Sequence, residues 1–522
     1  MNEMKNLPIG DHTFESLISG NSLYIDKTEY IYNLLKPAKG VYFLSRPRRF
    51  GKSLLVSTLA ALFEGKRELF KGLWIDQQSD YDFEPHPVFQ IDMSRERITD
   101  RVSLEKHVWR VVDEIAEKYQ VSLKYDTYSS RFTELIRKLS DINKVVILID
   151  EYDKPILDNL HSSTRDEVKE TLRGFYGSIK ASDPYLRFVL LTGVSKFARV
   201  SVFSDLNNLL DLSMDIRYAE MLGITQDELE HYFAKRTEQL ADQLNISPKK
   251  LLARIAYWYD GYRFSTKDAH VYNPFSTLLL FEQQEFKHHW FETGTPTFLI
   301  ELIKRDPLSW PHIYEPQVVS ERAFSTYEID NLDSLPLLFQ TGYLTIKDVI
   351  EDEMMLLYEL DYPNFEVRNS FLSEVLSSFS GLKSGDTYIY HMDKHLQAGE
   401  VDRMMETLQV FFANVNYDLH LKYEKYYQTI FFVIFELLKF KVDAEVKTER
   451  GRVDVVVEVE RFIYLFEFKL TGTKDDALKQ IKDKQYYRKY LHSGKEIIMV
   501  GAAFDQKKRN IEDWEWEIFE EK

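Results

Sequence analysis

Val41-Tyr42-Phe43-Leu44-Ser45-Arg46-Pro47-Arg48-Arg49-Phe50-Gly51-Lys52-Ser53 is the stretch on which the reading of this chain turns. Its first five residues form the short apolar run of a buried strand. Beyond the loop, Leu55, Leu59, Leu62 and Phe63 recur at helical spacing and stop at Gly65, so a helix begins near Lys52. Strand, loop and helix in this order bring loop amides and the positive end of a helix to one point, where phosphate oxygens bind. Lys52 can then reach terminal phosphates, and the Ser53 hydroxyl can hold Mg²⁺. One position departs from the usual pattern. Arg46 stands where a first glycine is normally found, and Pro47 beside it has no N–H to offer.

Val88 to Met93, Val145 to Asp150 and Arg187 to Thr192 read as further strands, alternating with amphipathic stretches, the pattern of a parallel sheet covered by helices. Val145-Val146-Ile147-Leu148-Ile149 is apolar enough for a strand buried on both faces, and it ends in Asp150 and Glu151. At such a strand end Asp150 holds Mg²⁺ through water, and Glu151 orients or deprotonates an attacking water. Thr192, beside Gly193, is a polar group placed to report on a terminal phosphate. These residues fall at the same end of separate strands, where ligands of open α/β sheets bind. The alternative is a doubly wound domain with a basic surface loop and a helix-capping acid pair.

From Thr225 the chain turns mostly helical, and Thr225 with Glu228 reads as a capping box. Ser377 to Asp386 clusters Ser, Gly and Lys without apolar periodicity and marks a seam. The expected domains are therefore 1–224 (α/β, phosphate-binding), 225–380 (mostly helical, a lid or winged-helix-like region) and 381–522 (α/β). In the last, a helix is expected over Tyr423 to Phe440, strands over Val453 to Val459 and Phe462 to Lys469, a helix over Asp475 to Tyr490 and a strand over Glu496 to Gly501.

Composition bounds the function. A chain of 522 residues exceeds a single hydrophobic core, so two to four domains are expected. Hydrophobic residues at 44% and charged residues at 29% suit a soluble globular protein. Absence of cysteine excludes disulfides, thiol nucleophiles and Cys-based metal sites, and suits the cytoplasm. No apolar run is long enough to span a bilayer, so no membrane is expected. The net charge of −17 repels nucleic acid at long range, so such a partner must be met by a local patch or a metal. His288 and His289 lack a second ligand pair at metal spacing and read as surface or packing residues.

A second acidic pattern lies near the C-terminus. Glu467 and Lys469 share a strand face while Phe468 points the other way, and Asp454 on the neighbouring strand completes a small acidic cluster. Carboxylates held close repel one another, and a divalent cation relieves that repulsion while activating its bound water. Lys469 then positions the water or balances developing charge. A salt-bridged strand pair is the structural alternative.

Leu7-Pro8-Ile9-Gly10, Tyr24-Ile25-Asp26-Lys27-Thr28, the Arg46 to Ser53 loop and Leu148-Ile149-Asp150-Glu151-Tyr152-Asp153 resemble the bacterial AAA-ATPase-like proteins, in which a P-loop ATPase is fused to a C-terminal PD-(D/E)xK nuclease-like domain. The likeness extends to Tyr259-Asp260-Gly261-Tyr262-Arg263-Phe264 and Tyr272-Asn273-Pro274-Phe275, for which lid packing is the expected role. The resemblance implies ATP and Mg²⁺ as cofactors, contacted by Arg46, Arg48, Arg49, Gly51, Lys52, Ser53, Asp150 and Thr192. An arginine at the first glycine position is a habit of that family. Gly451-Arg452-Val453-Asp454 and Glu467-Phe468-Lys469 stand for the two halves of the nuclease motif, with Glu424 as an extra metal-binding acid and Gln480 in support.

The expected function is ATP binding and hydrolysis coupled to a Mg²⁺-dependent nuclease acting on DNA or RNA. Glu151, Asp454, Glu467 and Lys469 are its catalytic residues. The alternative is a nucleotide-gated binding or signalling protein whose nuclease-like domain docks a partner and cuts nothing. Arg46, Arg48, Arg49 and Arg199 are candidate arginine fingers, in cis or from a second copy in a homo-oligomer.

Overall fold

β-Branched and aromatic residues fill the four main strands of the N-terminal sheet: β1 (Gly40–Ser45), β2 (Val88–Asp92), β3 (Val145–Asp150) and β4 (Leu186–Gly193). The structure is a computed structural model that describes residues 4–78, 80–160, 162–196, 208–290, 316–321, 324, 334–352, 355–382, 385–415, 424–438, 443–449, 452–469, 472–505 and 508–520. Among these residues β1 to β4 and the short β5 (Leu210–Asp211) form one sheet in the order β2-β3-β4-β1-β5. All its pairings are parallel. Every residue of β3 is buried, as its unbroken apolar run requires.

The helix Lys52–Phe63 packs Leu59, Leu62 and Phe63 with Val146, Leu148 and Phe188 of the sheet. Each such side chain contributes roughly 1.5–3 kcal/mol of burial. The helices Arg101–Lys118, Tyr128–Leu139 and Arg165–Ala181 form a further layer. The first of these starts at a complete Asp100/Ser103 capping box.

The next segment contains the helices Gln226–Tyr232, Ala234–Gln243, Pro248–Tyr259 and Pro274–Gln283. Both halves of the Thr225/Glu228 capping box are formed. This segment also holds an antiparallel sheet, β6 (Gln317–Ser320), β7 (Thr345–Asp352) and β8 (Met355–Asp361), in the order β6-β8-β7. Exposed Lys347, Asp348 and Glu351 break up the apolar alternation of β7, which is why helical periodicity dominates the sequence reading there.

Two compact units divide at Val367/Arg368. Ser377 to Ser380, within the expected seam, complete the helix Phe365–Ser380. The second unit contains the helices Gly385–Ala398, Val401–Asn414 and Glu424–Leu438. Its sheet comprises β9 (Asp443–Glu449), β10 (Arg452–Glu458), β11 (Phe462–Lys469), β12 (Glu496–Asp505) and β13 (Asn510–Ile518), in the order β13-β12-β11-β10-β9. Only β11 and β12 pair in parallel, joined by a crossover that contains the helix Lys474–Lys484. That helix packs Leu478 and Ile481 against Ile463, Leu465, Ile497 and Met499. It stops at Gln485, whose backbone is left-handed, and Tyr486–Tyr490 form a 3₁₀ turn where one continuous helix was expected.

Candidate functional site

The loop between β1 and the helix Lys52–Phe63 turns through left-handed backbone at Arg49 (φ 66°) and Gly51 (φ 91°). At Gly51 glycine takes this conformation without strain. Lys52 is buried, and its Nζ donates to the carbonyls of Arg46 at 3.0 Å and Pro47 at 2.9 Å. Burial lowers its pKa, while Asp150, Glu151 and Asp153 oppose that shift. A triphosphate would therefore exchange these two carbonyls for its own oxygens.

At the end of β3, one carboxylate oxygen of Asp150 accepts the Thr192 hydroxyl at 2.5 Å and the Glu151 N–H at 3.0 Å. Glu151 has left-handed backbone, φ 50°. Burial raises its carboxyl above the ordinary range, and Lys52 opposes this. Lys52 and Ser53 open the helix after β1, Asp150 ends β3 with Glu151 following it, and Thr192 lies on β4 between those strands. The fold thus gathers five of the expected residues at one sheet edge.

The arginines divide. Arg46 is 1% exposed, with Nη1 donating to Ser213 O at 2.7 Å and Ser45 O at 2.9 Å, and Nη2 to Tyr218 O at 3.2 Å. Its guanidinium carbon lies 4.2 Å from the Phe264 ring centroid. Burial lowers its pKa to about 9, so it remains a cation at neutral pH. These bonds commit Arg46 to supporting the loop. Arg48 and Arg49 are both exposed; Arg49 lies over Phe275, and Arg48 acts electrostatically on Lys52 and Glu151. Arg199 lies outside the described residues.

Sequence reasoning missed Asp153. This buried carboxylate accepts Val194 N at 3.1 Å, Ser195 N at 2.7 Å and Ser195 Oγ at 2.5 Å, all on Oδ2. Burial raises its pKa, and the bonds from Ser195 oppose the rise. Tyr152 adds an N–H bond to Thr192 O at 3.0 Å and a hydroxyl bond to Ser195 O at 2.9 Å. The turns after β3 and β4 are therefore tied together beside Thr192. The signal was a third carboxylate in Asp150-Glu151-Tyr152-Asp153, which resembles a helix cap until its burial is seen.

Also unforeseen is an apolar cavity of about 110 Å³ beside Gly51, lined by Tyr24, Ile25, Leu54, Met221 and Leu278. Adjacent Lys27 bonds Glu228 at 2.7 Å and the Glu220 carbonyl at 2.8 Å.

In the second unit, the register sets Asp454 directly opposite Glu467. Glu467 is fully buried, and Lys469 Nζ donates to its Oε1 at 2.8 Å and to Gln480 Oε1 at 2.5 Å. Gly501 pairs with Glu467 in the β11/β12 register. A Cβ on Gly501 would come 2.8 Å from the Leu478 nitrogen, so the absence of a side chain lets the helix bearing Gln480 lie directly on the sheet. Glu467, Lys469 and Gln480 are thus brought together. The side chains of Glu424 and Asp454 lie outside the described residues. Among the described residues no group of three or more His, Asp or Glu is placed to hold a metal. His288 packs on Trp258 and Phe365, and His289 is buried, as expected of packing histidines. Among the described residues no helix is long and apolar enough to cross a membrane.

A parallel sheet with its phosphate-type loop on β1, its acid pair on β3 and β4 between them defines an AAA-ATPase-like unit, and the mixed sheet bearing Glu467 and Lys469 a nuclease-like one. Matching family models agree. One described as a predicted AAA-ATPase matches residues 8–203, and one for the PD-(D/E)XK nuclease superfamily matches residues 422–514. Along nearly its whole length the chain is also 37% identical to an uncharacterized protein in the vnfD 5′ region of Azotobacter chroococcum mcd 1, covering 97% of this chain and 98% of that one. This chain belongs to the AAA-ATPase-like family, fused to a PD-(D/E)xK nuclease superfamily domain. A solved structure of the Aeropyrum pernix ORC2 protein in ADPNP–ADP complexes is similar over 72% of this chain and 97% of that chain, at 10% identity and a TM-score of 0.24. That similarity is too slight to inform the site.

Proposed function

We propose that this protein binds and hydrolyses ATP at the first site and cleaves phosphodiesters of DNA or RNA at the second, each with Mg²⁺. The observation that supports this most is the meeting of Lys52, Asp150, Glu151 and Thr192 at the C-terminal edge of the parallel sheet. Lys52 neutralises the phosphates, Glu151 takes the proton of the attacking water, and Thr192 reports on the terminal phosphate through Asp150. The nucleobase enters the apolar cavity beside Gly51. Ser53 and Asp150 are hard oxygen donors of the kind Mg²⁺ takes alongside phosphate and water. Arg48, exposed at the loop and acting electrostatically on Lys52 and Glu151, acts on a terminal phosphate, in cis or within a homo-oligomer.

In the second unit Glu467, with Asp454 and Glu424, would hold Mg²⁺, which when bound lowers the pKa of its water. Lys469 positions that water, and Gln480 holds Lys469. A docking role without cleavage is the second reading. It draws support from the ion pair that already engages Lys469 with Glu467, and from the net charge of −17. Purified protein incubated with Mg²⁺ and a mixed nucleic-acid panel, with and without ATP, separates them. ATP-dependent phosphate release together with strand cleavage supports the first reading. Phosphate release without cleavage supports the second, and neither product removes the first.

A further inference from the structure

The central motifs Tyr259 to Phe264 and Tyr272 to Phe275 take no part in this chemistry, yet they meet the phosphate loop residue by residue. Phe264 lies against the Arg46 guanidinium at 4.2 Å. The buried Phe50 ring stands edge-on to Tyr262 at 4.8 Å and to Phe264 at 5.4 Å between centroids. Phe275 faces Arg49 at 4.7 Å. Two residues outside the motifs complete the contact. Trp290 Nε1 donates to the Arg48 carbonyl at 3.1 Å. Gly342, φ 90°, comes so close to Pro47 that a Cβ there would lie 2.6 Å from the proline Cβ. Each loop residue from Arg46 to Phe50 is therefore held from the central segment.

The holding residues are themselves braced. The buried Glu366 carboxylate accepts Trp290 N at 2.7 Å and Ser276 Oγ at 2.8 Å, tying Trp290 to the helix Pro274–Gln283. Arg263 N donates to Thr345 Oγ1 at 2.7 Å, which ties the first motif to β7. A glycine-rich loop takes its shape from backbone freedom. This loop begins Arg46-Pro47, where backbone freedom is least, so packing must shape it.

We propose, on the reading that this loop binds nucleotide, that Phe264, Phe275, Trp290 and Gly342 are positioning residues for the phosphate site. They impose on the loop the conformation that glycines permit elsewhere. Nucleotide occupancy and the contacts of these four residues with the loop are then one coupled equilibrium, and linkage makes the coupling reciprocal.

Calorimetric titration of the full-length protein with Mg·ATP tests this, using Phe264→Ala, Trp290→Phe and the control Phe281→Ala. Phe281 is buried in the core of the same segment, against Phe233. Phe264→Ala should weaken binding about tenfold through loss of the buried cation–π and edge contacts. Trp290→Phe keeps a ring and loses one N–H donor, so it should weaken binding about threefold. Phe281→Ala should lower the melting temperature and leave affinity within about twofold, because the described core it packs in contains none of the loop residues 46–50. Mg·ATP should change the tryptophan emission of the parent, and Trp290→Phe should lose that change while still binding.

Unchanged affinity in both Phe264→Ala and Trp290→Phe overturns the proposal, as does an equal loss in Phe281→Ala. Should Phe264→Ala fail to fold, Trp290→Phe decides by affinity and emission. A parent that binds no Mg·ATP removes the nucleotide reading itself, and the proposal with it. A parent that binds, with unaffected variants, removes the proposal alone.

Discussion

Replacing Asp153 by Ala should destabilise the first unit by about 3–5 kcal/mol. The carboxylate receives three buried donors, the N–H groups of Val194 and Ser195 and the Ser195 hydroxyl. Each, left unpaired, costs roughly 1–3 kcal/mol, so about 9 kcal/mol bounds the loss from above. Two effects reduce it. Water entering the vacated space re-pairs part of the turn, and the desolvation cost of the carboxylate itself disappears. Asp153→Asn retains an acceptor of the same shape and should lose only about 1–2 kcal/mol. The pH dependence carries a sign. Burial raises the Asp153 pKa, so the folded protein holds this proton more tightly than the unfolded chain does. Stability contributed by this group therefore falls as pH rises through the folded pKa and returns on acidification. The advantage of the parent over Asp153→Asn should widen as the pH is lowered from neutrality. Urea unfolding of the full chain at several pH values, followed by circular dichroism, measures both quantities. A loss below about 1 kcal/mol in Asp153→Ala, or equal losses in the Ala and Asn variants, would refute the reasoning.

Lys52→Ala should weaken ATP binding about tenfold or more by removing a charge-assisted contact worth roughly 1.5–3 kcal/mol, and unchanged calorimetric affinity would remove the loop from the site. Glu151→Gln should leave binding intact and slow hydrolysis about 10²- to 10⁴-fold. Because burial raises the Glu151 carboxyl, the acid limb of the parent's kcat profile should lie above the ordinary carboxylate range and vanish in the variant; an unshifted limb counts against Glu151 as base. Lys469→Ala strips the counter-charge from buried Glu467 and should cost about 3–5 kcal/mol, read by thermal melting of the full chain. Asp454→Ala should abolish both strand cleavage and the Mg²⁺-induced rise in melting temperature while leaving ATP affinity unchanged, and cleavage surviving in this variant would exclude Asp454 from the chemistry.

Much of this protein was legible in its sequence. The reading placed strands at Val41–Ser45 and Val145–Asp150, and a helix starting at Lys52, where the structure has β1, β3 and the helix Lys52–Phe63. Apolar periodicity, the Gly65 stop and the Thr225/Glu228 pair are local signals, set within a turn or two of chain. For the same reason Lys52, Ser53, Asp150, Glu151, Glu467 and Lys469 could be nominated without coordinates: each sits at the end of a strand or the start of a helix whose type its neighbours dictate. The strand β9 escaped although Asp443, Glu445, Lys447 and Glu449 alternate along it, because only Ala444, Val446 and Thr448 lie between them and supply too little apolar character to mark a buried face.

Local signals in the chain were enough to place the main strands of the first sheet, the helix at Lys52 and the polar residues at their ends, because periodicity and capping act over a few residues. Which of those ends meet was settled by tertiary packing. It set β4 between β1 and β3, so that Thr192 bonds Asp150. It turned Arg46 onto the Ser213 and Tyr218 carbonyls and Phe264. It buried Asp153 under the 194–195 turn, and it laid two motifs more than 200 residues downstream against the phosphate loop. Those outcomes depend on desolvation and packing between segments remote in the chain, and no local pattern encodes which charged group ends up inside.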